Sequence, residues 1–204
     1  LSGLVGSEMC IRDRFKDYGP EKIMDTPISE SGFVGAAIGS SMVGMKPIVE
    51  IMTINFSLLA IDQIVNHAAK MHYMSDGQLS VPIIIRTVTG AGGRLAATHS
   101  QSFEGWYASV PGLKVVAPSN PNDALGLLRS SVNDNNPIIF VEHSMLYGVN
   151  GEVPDQYYET PIGIPKIIES GEDLTIIAWS GMIPVAQDVS SKLKEKNIEC
   201  EIID

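Results

Sequence analysis

The stretch Pro82–Val88 reads PIIIRTV and places three consecutive isoleucines directly after a proline. A second stretch, Pro137–Glu142, reads PIIFVE and has the same unbroken apolar character. Strands that are buried on both faces show continuous rather than alternating hydrophobicity, and β-branched residues favour strands. The two stretches therefore predict central strands of a parallel sheet.

Shorter apolar runs, each bounded by Gly, Pro or polar residues, extend this pattern along the chain. The further predicted strands are Lys22–Ile28, Pro47–Met52, Leu113–Pro118, Leu174–Trp179 and Ile198–Ile203. Between the strands, apolar residues at helical spacing predict helices over Glu30–Gly44, Phe56–Met74, Asn122–Asn133 and Pro184–Lys196. Strands that alternate with helices predict an α/β fold, with a mostly parallel sheet flanked by helices and right-handed crossovers.

The pattern changes after Val141, which suggests a second domain. Residues 147–171 are rich in Gly and Pro and show no clear period, so we interpret them as a linker. Residues 172–204 then form one strand–helix–strand unit, which we expect to be the beginning of a truncated second α/β domain. Residues 15–146 would be the first domain.

Composition and charge exclude several classes of function. The 204 residues include 14 Lys and Arg against 24 Asp and Glu, a net charge of −10, which argues against a nucleic-acid partner. No apolar run approaches the ~20 residues of a membrane-spanning helix. Cys10 and Cys200 lie near opposite ends and form no CxxC pair, so neither a zinc site nor a disulfide framework is predicted, and a reducing compartment is the natural interpretation.

Common catalytic motifs are also missing from the sequence. It contains neither the phosphate-binding GxxxxGK[ST] pattern nor a GxSxG nucleophile elbow, and the glycines of 90–93 lack the spacing of a dinucleotide fingerprint. His67 and His72 are five positions apart, about 140° around a helix, so they cannot share a metal ion.

Candidate site residues instead follow the predicted strands. Ligands of open α/β sheets bind beyond the carboxyl ends of the strands, and Glu30, the pair Met52 and Phe56, and His99 all lie just past such ends. Each has an ordinary alternative explanation. Glu30 could merely complement a helix dipole, Met52 and Phe56 could be core residues, and His99 could be a hydrogen-bonded loop histidine.

Several segments that contain or adjoin these residues resemble a known family, the beta subunits of the thiamin-diphosphate-dependent 2-oxo acid dehydrogenases. The resemblance runs from Phe15 to Asp204. It is clearest in Asp25–Glu30 (DTPISE), Lys46–Met52 (KPIVEIM), Ala60–Gln63 (AIDQ), Thr98–Glu104 (THSQSFE), Pro111–Pro118 (PGLKVVAP) and Asp134–Pro137 (DNNP). Residues 1–14 show no such resemblance, and we expect them to be an unrelated leader or an artefact.

The resemblance implies a transketolase-like fold in which residues 15–146 bind the pyrimidine half of thiamin diphosphate. It implies that Glu30 hydrogen-bonds the aminopyrimidine ring, that Met52 and Phe56 pack on that ring, and that His99 lies near the substrate and the lipoyl acceptor. It also implies a potassium site made largely of main-chain oxygens. The matching positions are Ile83, Ser131, Val132, Asp134 and Asn136.

The resemblance further implies an activity and partners. The activity is thiamin-dependent oxidative decarboxylation of pyruvate with acetyl transfer to lipoyl groups. A separate alpha subunit would hold Mg²⁺ and the diphosphate in an assembly of two alpha and two beta subunits, and a lipoyl-bearing acyltransferase would be the next partner. The compartment would be the bacterial cytoplasm, or the mitochondrial matrix or plastid of a eukaryote.

Four alternatives remain open at this stage. The first two are beta subunits of a branched-chain 2-oxo acid dehydrogenase and of an acetoin dehydrogenase. A third is a fragment of a transketolase-like enzyme such as a deoxyxylulose-phosphate synthase, which would carry its diphosphate-binding domain in the same chain. The last is a subunit that serves assembly alone, against which the presence of both Glu30 and His99 argues.

Overall fold

A computed structural model describes residues 14–204 of the chain. Its first sheet has four parallel strands in the order β1-β2-β4-β3. These strands are β1 (Ile48–Ile51), β2 (Ile84–Thr89), β3 (Lys114–Val116) and β4 (Ile138–His143). The two isoleucine-rich stretches supply the central strands β2 and β4, so the predicted parallel sheet is confirmed.

Helices cover both faces of this sheet. The α-helices within residues 20–204 are α1 (Glu30–Met42), α2 (Met71–Met74), α3 (Glu104–Ala108), α4 (Pro121–Asn133) and α5 (Ile183–Lys194), of which α5 packs on a second, smaller sheet. One face packs on α1 and on the helical segment after β1, through buried residues such as Val34, Ile54 and Ile85. The other face packs on α4, where Leu127 and Leu128 lie against the buried cluster that contains Phe140. Alternate residues of β2 and β4 therefore enter two separate cores, as a doubly covered parallel sheet requires.

Residues 56–74, predicted to form one helix, form consecutive helical segments of different types. A 3₁₀ segment spans Ile54–Ala60 and a π-helix spans Gln63–Ala68, closed by a bond from Ala69 N to Ile64 O of 3.0 Å. The wider π turn directs Ala69 and Lys70 toward the Pro111 turn, and Lys70 Nζ donates to Pro111 O at 2.6 Å. Apolar spacing alone does not distinguish these helix types.

The strand predicted over Lys22–Ile28 is absent from the described residues, so that prediction is wrong. Met24 is 80% exposed and Ile28 is 90% exposed, so the apolar side chains of this segment are not buried. Pro27 also lacks the amide proton that a strand would donate. The segment begins in a turn closed by the amides of Lys22 and Ile23 on Gly19 O, has no regular secondary structure, and leads into α1.

The second sheet has three strands in the order β5-β7-β6. Its strands are β5 (Ile167–Glu169), β6 (Leu174–Ile177) and β7 (Cys200–Ile203). Strands β6 and β7 are parallel and joined by α5, as predicted, whereas β5 pairs antiparallel with β7. The linker prediction therefore needs correction, because β5 lies within 147–171 and the second sheet begins before residue 172.

Much of the segment before β5 packs along α4 rather than spanning a gap between domains. Ser130 Oγ donates to Thr160 O at 2.6 Å, and the Arg129 guanidinium lies 4.8 Å from the ring centre of Tyr157 and 5.2 Å from that of Tyr158. Gly126 allows Thr160 to approach the helix closely. These contacts explain how a segment without a hydrophobic period acquires a fixed path.

None of the helices in residues 14–204 combines the length and apolar character that crossing a membrane requires. The interpretation of residues 1–14 as an unrelated leader falls, except for Arg14, outside the described residues.

Candidate active site

Glu30 is the first residue of α1 and follows Ser29, whose carbonyl accepts the amide of Phe33 at 3.0 Å. Glu30, Val34 and Ile38 are four residues apart, so they share the stripe of the helix that faces the sheet. Glu30 is only 8% exposed, yet among residues 14–204 its carboxylate has no hydrogen-bond partner and no ion pair. Its carboxylate oxygens are not among the fully buried unpartnered atoms of the described residues, so they are open to solvent or to a ligand.

Met52 and Phe56 follow β1 at the carboxyl edge of the sheet. Met52 is 56% exposed, and Phe56 packs with its inner edge on the core that contains Val34. An exposed methionine beside a half-buried phenylalanine offers a soft, apolar surface suited to a flat heterocycle.

His99 ends a short 3₁₀ turn, Ala97–His99, in the loop after β2. Its ring lies edge-on to Phe56, with ring centres 5.2 Å apart and planes at 88°. The hydroxyl of Thr98 lies 3.0 Å from His99 Nδ1. The structure thus brings together two of the four predicted site residues, from two different strand ends.

In the described part of the chain, neither Glu30 nor Met52 forms a hydrogen bond or a ring contact with Phe56 or His99. Glu30 reaches the same region through α1, which packs on the 3₁₀ segment that carries Phe56. Met52 precedes this segment by two residues. Phe56 and His99 therefore meet beyond the end of the sheet, and Glu30 and Met52 lie on neighbouring segments.

The loop that carries His99 is anchored by Asn55, to which the sequence analysis assigned no role. Asn55 is buried, and its Oδ1 accepts both the backbone N–H of Gln101 at 3.2 Å and the side-chain amide of Gln101 at 3.1 Å. Its Nδ2 donates to Thr53 Oγ1 at 2.7 Å. One side chain thereby ties the end of the His99 loop to the segment after β1.

Replacing Asn55 by Ala is expected to lower the free energy of unfolding by about 1–3 kcal/mol, because the Gln101 amide loses its acceptor. Chemical denaturation measures this change. Asn66→Ala is the matched control, since Asn66 is exposed and bonds only Asp62 at 2.7 Å, and its cost should stay within about 0.5 kcal/mol. Equal losses in the two variants would contradict the anchoring role of Asn55.

The five predicted potassium positions lie at the opposite edge of the sheet, around the end of α4 and the starts of β2 and β4. Val132 O accepts Lys46 Nζ at 2.7 Å, and Ile83 O accepts the amide of Ile138 at 2.9 Å. Lys114 pairs with the Asp134 carboxylate. The potassium site stays a prediction, and three of its carbonyl oxygens, those of Ile83, Ser131 and Val132, already accept protein donors.

Asp134 in this cluster has a perturbed acidity. Burial opposes its charge, but Lys114 and two hydrogen bonds from Asn136, at 2.7 and 2.8 Å, hold its pKa below the ordinary value. Among the described residues, no group of three or more His, Cys, Asp or Glu side chains is arranged to hold a metal ion.

A buried ionic cluster that sequence reasoning missed lies within the first sheet. Arg86 of β2 and Glu142 of β4 are both 6% exposed and form a two-pronged pair at 2.8 and 2.7 Å. Arg86 Nη1 also reaches Glu50 of β1 at 3.4 Å, and Tyr147 OH donates to Glu142 Oε2 at 2.8 Å. We call these four residues the Arg86 cluster. The available signal was a charged residue inside each of three apolar strands.

The Arg86 cluster shifts the acidity of two of its members. Burial opposes the charge of Arg86, but the hydrogen bonds and charge of Glu142, with Glu50, leave its pKa above the ordinary value. Burial, and then the charge of Glu142, raises the pKa of Tyr147 far above its usual range. Tyr147 is therefore a protonated donor at neutral pH.

Comparison with known proteins assigns the fold to a family. The sequence model described as "Transketolase, pyrimidine binding domain" matches residues 5–149, a match that begins inside the segment 1–14, and the model described as "Transketolase, C-terminal domain" matches residues 163–204. The chain belongs to the transketolase family. A solved structure titled "Split gene transketolase, inactive beta4 tetramer" has the same fold, with a TM-score of 0.79 and 19% identity over all of this chain and 63% of that one.

Closer sequence relatives carry a more specific name. The chain is 46% identical over 199 residues to the "Pyruvate dehydrogenase E1 component subunit beta" of Rickettsia felis, covering 98% of this chain and 61% of that protein. It is 45% identical to the mitochondrial beta-1 subunit of Arabidopsis thaliana and 46% identical to the mitochondrial beta subunit of Bos taurus. Each of these two alignments covers 97% of this chain and 56% of the relative. The chain thus spans roughly three fifths of the length of these relatives.

Proposed function

We propose that this chain acts as the beta subunit of a pyruvate dehydrogenase (acetyl-transferring), with thiamin diphosphate as cofactor. The observation that carries the proposal is identity of about 45% to pyruvate dehydrogenase E1 beta subunits over nearly the whole chain. Glu30 adds independent support, because the residue is mostly buried while its carboxylate bonds none of residues 14–204 and could bind a cofactor ring.

The candidate residues fit the pyrimidine half of this cofactor. Glu30 would share a proton with a ring nitrogen, and its burial would strengthen that hydrogen bond. Met52 and Phe56 would pack on the flat heterocycle. When bound, thiamin diphosphate supplies the carbon nucleophile and the electron sink that decarboxylation of a 2-oxo acid needs.

His99 would serve the substrate rather than the cofactor ring. Its contact with Phe56 places an imidazole at the edge of the aromatic surface, where it can orient the substrate or hold a proton near neutral pH. The loop from 90 to 101 that carries it would exclude water from one side of the site.

Partners complete the proposed enzyme. An alpha subunit would hold Mg²⁺ and the diphosphate in an assembly of two alpha and two beta subunits, and a lipoyl-bearing acyltransferase would accept the acetyl group. The proposed enzyme would also bind a potassium ion, at Ile83, Ser131, Val132, Asp134 and Asn136. The compartment would be the bacterial cytoplasm, or the mitochondrial matrix or plastid of a eukaryote.

The proposal is tested by substrate preference. The chain, expressed from its full reading frame with an alpha subunit, is expected to turn over pyruvate with a kcat/KM at least about tenfold above that for branched 2-oxo acids. Omitting thiamin diphosphate is the control and should abolish turnover. Preference for a branched 2-oxo acid would assign the chain to that dehydrogenase instead, and stable assembly without any turnover would contradict a catalytic role.

A further inference from the structure

The Arg86 cluster lies on the face of the sheet opposite Glu30, yet it is connected to the loop that carries His99. Side chains alternate along strands, so Arg86 and Glu142 share the face of Ile84 and Phe140, which α4 covers. The candidate site borders the other core. The cluster has no assigned role in the site.

Glu142 is followed at once by a short turn that supports the base of the His99 loop. His143 is the last residue of β4, and the 3₁₀ turn Ser144–Leu146 follows it. The amide of Met145 donates to His143 Nδ1 at 3.3 Å, and Tyr147, which ends the turn, donates back to Glu142. Two hydrogen bonds therefore hold residues 144–147 against the last two residues of β4. We call residues 143–145 the platform.

The loop rests on the platform through glycines. A Cβ atom on Gly90 would overlap the His143 ring, and one on Gly92 would overlap Ser144 Oγ and lie 2.9 Å from the Met145 side chain. Gly90 follows β2 directly and Gly92 comes two residues later, so the backbone at the start of the loop lies against the side chains of the platform. A displacement of the platform would move the start of the loop.

We propose that Tyr147, through its hydrogen bond to Glu142, is a positioning residue that fixes the loop 90–101 and hence His99. The proposal rests on the proposed function for the role of His99 in catalysis, but the coupling itself concerns only this chain. Arg86 of β2 donates two hydrogen bonds to the Glu142 carboxylate, and Tyr147, at the end of the turn after β4, donates one. The carboxylate of Glu142 thereby joins the rigid sheet to the platform.

Limited digestion with trypsin tests the coupling without any assay of activity. Arg94 is exposed, has a left-handed φ of 50°, and lies inside the loop, so the Arg94–Leu95 bond is a local reporter of loop opening. Tyr147→Phe removes one hydrogen bond to a charged group while it keeps the ring. Cleavage after Arg94, followed by mass spectrometry of the two fragments, should accelerate about tenfold.

Two comparisons separate this local effect from general loosening. Tyr157→Phe is the matched control, since exposed Tyr157 also donates its hydroxyl to a glutamate, Glu159, at 2.5 Å, but lies away from the platform. Its cleavage rate after Arg94 should equal that of the wild type. Cleavage after Lys192 in α5 serves as an internal reference and should stay unchanged in Tyr147→Phe. Unchanged cleavage after Arg94, or equal acceleration at both bonds, would overturn the proposal.

Kinetics of the assembled enzyme give a second readout. In Tyr147→Phe, the KM for the 2-oxo acid should rise about tenfold while the Kd for thiamin diphosphate stays constant, because Glu30, Met52 and Phe56 lie on other segments. A purely structural defect would instead reduce the amount of active enzyme at constant KM, and that result would contradict a positioning role. Faster cleavage after Arg94 in an assembly without turnover would reject the proposed function and leave the coupling intact.

Discussion

Glu30→Gln is expected to lower thiamin-dependent turnover of the assembled enzyme at least about a hundredfold while the fold is retained. Glutamine keeps the size of the side chain, but it has no ionisable proton to share with the cofactor ring. Since the Glu30 carboxylate has no protein partner among residues 14–204, its loss breaks no internal bond. The remaining cost is the favourable interaction with the N-terminus of α1, less than about 1 kcal/mol.

The matched control for Glu30→Gln is Asp123→Asn. Asp123 is similarly buried and lies in the first turn of another helix, α4, but it already accepts a hydrogen bond from Asn120 Nδ2 at 2.6 Å. Its amide variant should lose some stability and keep its turnover. Comparable turnover in Glu30→Gln and the wild type, measured with pyruvate and saturating cofactor, would remove Glu30 from its proposed role.

The sequence predicted secondary structure best for strands that are buried on both faces of the sheet. Runs of branched aliphatic residues, as in β2 and β4, admit no amphipathic alternative, and the strands that they predict are present in the structure. The strand prediction failed at Lys22–Ile28, where polar residues and Pro27 interrupt the apolar ones, because a segment becomes a strand only when a neighbouring strand pairs with it. The hydropathy of a segment depends on its side chains and does not show whether another strand pairs with it.

The candidate site was predictable in part, for a related reason. Phe56 and His99 could be placed at one edge because the carboxyl ends of parallel strands coincide. The anchoring of the loop by Asn55 and the Arg86 cluster depend on contacts between residues distant in sequence, 46 positions for Asn55 and Gln101 and 56 for Arg86 and Glu142. The pattern of residue types along the sequence does not show which charged side chains pair across neighbouring strands.

The π-helix depends in the same way on a distant residue, Gly112, which contacts its end. Gly112 has a φ of +99°, and a Cβ atom there would overlap Ala69 O and lie 3.0 Å from Ala69 C, which are backbone atoms that cannot rotate away. The turn that includes Gly112 precedes β3, so it joins the helical segment beneath the site to the edge of the sheet. Any side chain at this position would push the two apart.

Gly112→Ala is therefore expected to lower the free energy of unfolding by more than about 3 kcal/mol, which denaturant titration would measure. Backbone strain accounts for about 1–2 kcal/mol of this loss, because alanine is disfavoured at positive φ. Gly44→Ala isolates that strain, since Gly44 has a φ of +98° and a Cβ atom added there would meet nothing within 4 Å. The difference between the two variants measures the steric overlap with Ala69, and equal losses would show that the turn can move away from the π-helix at little cost.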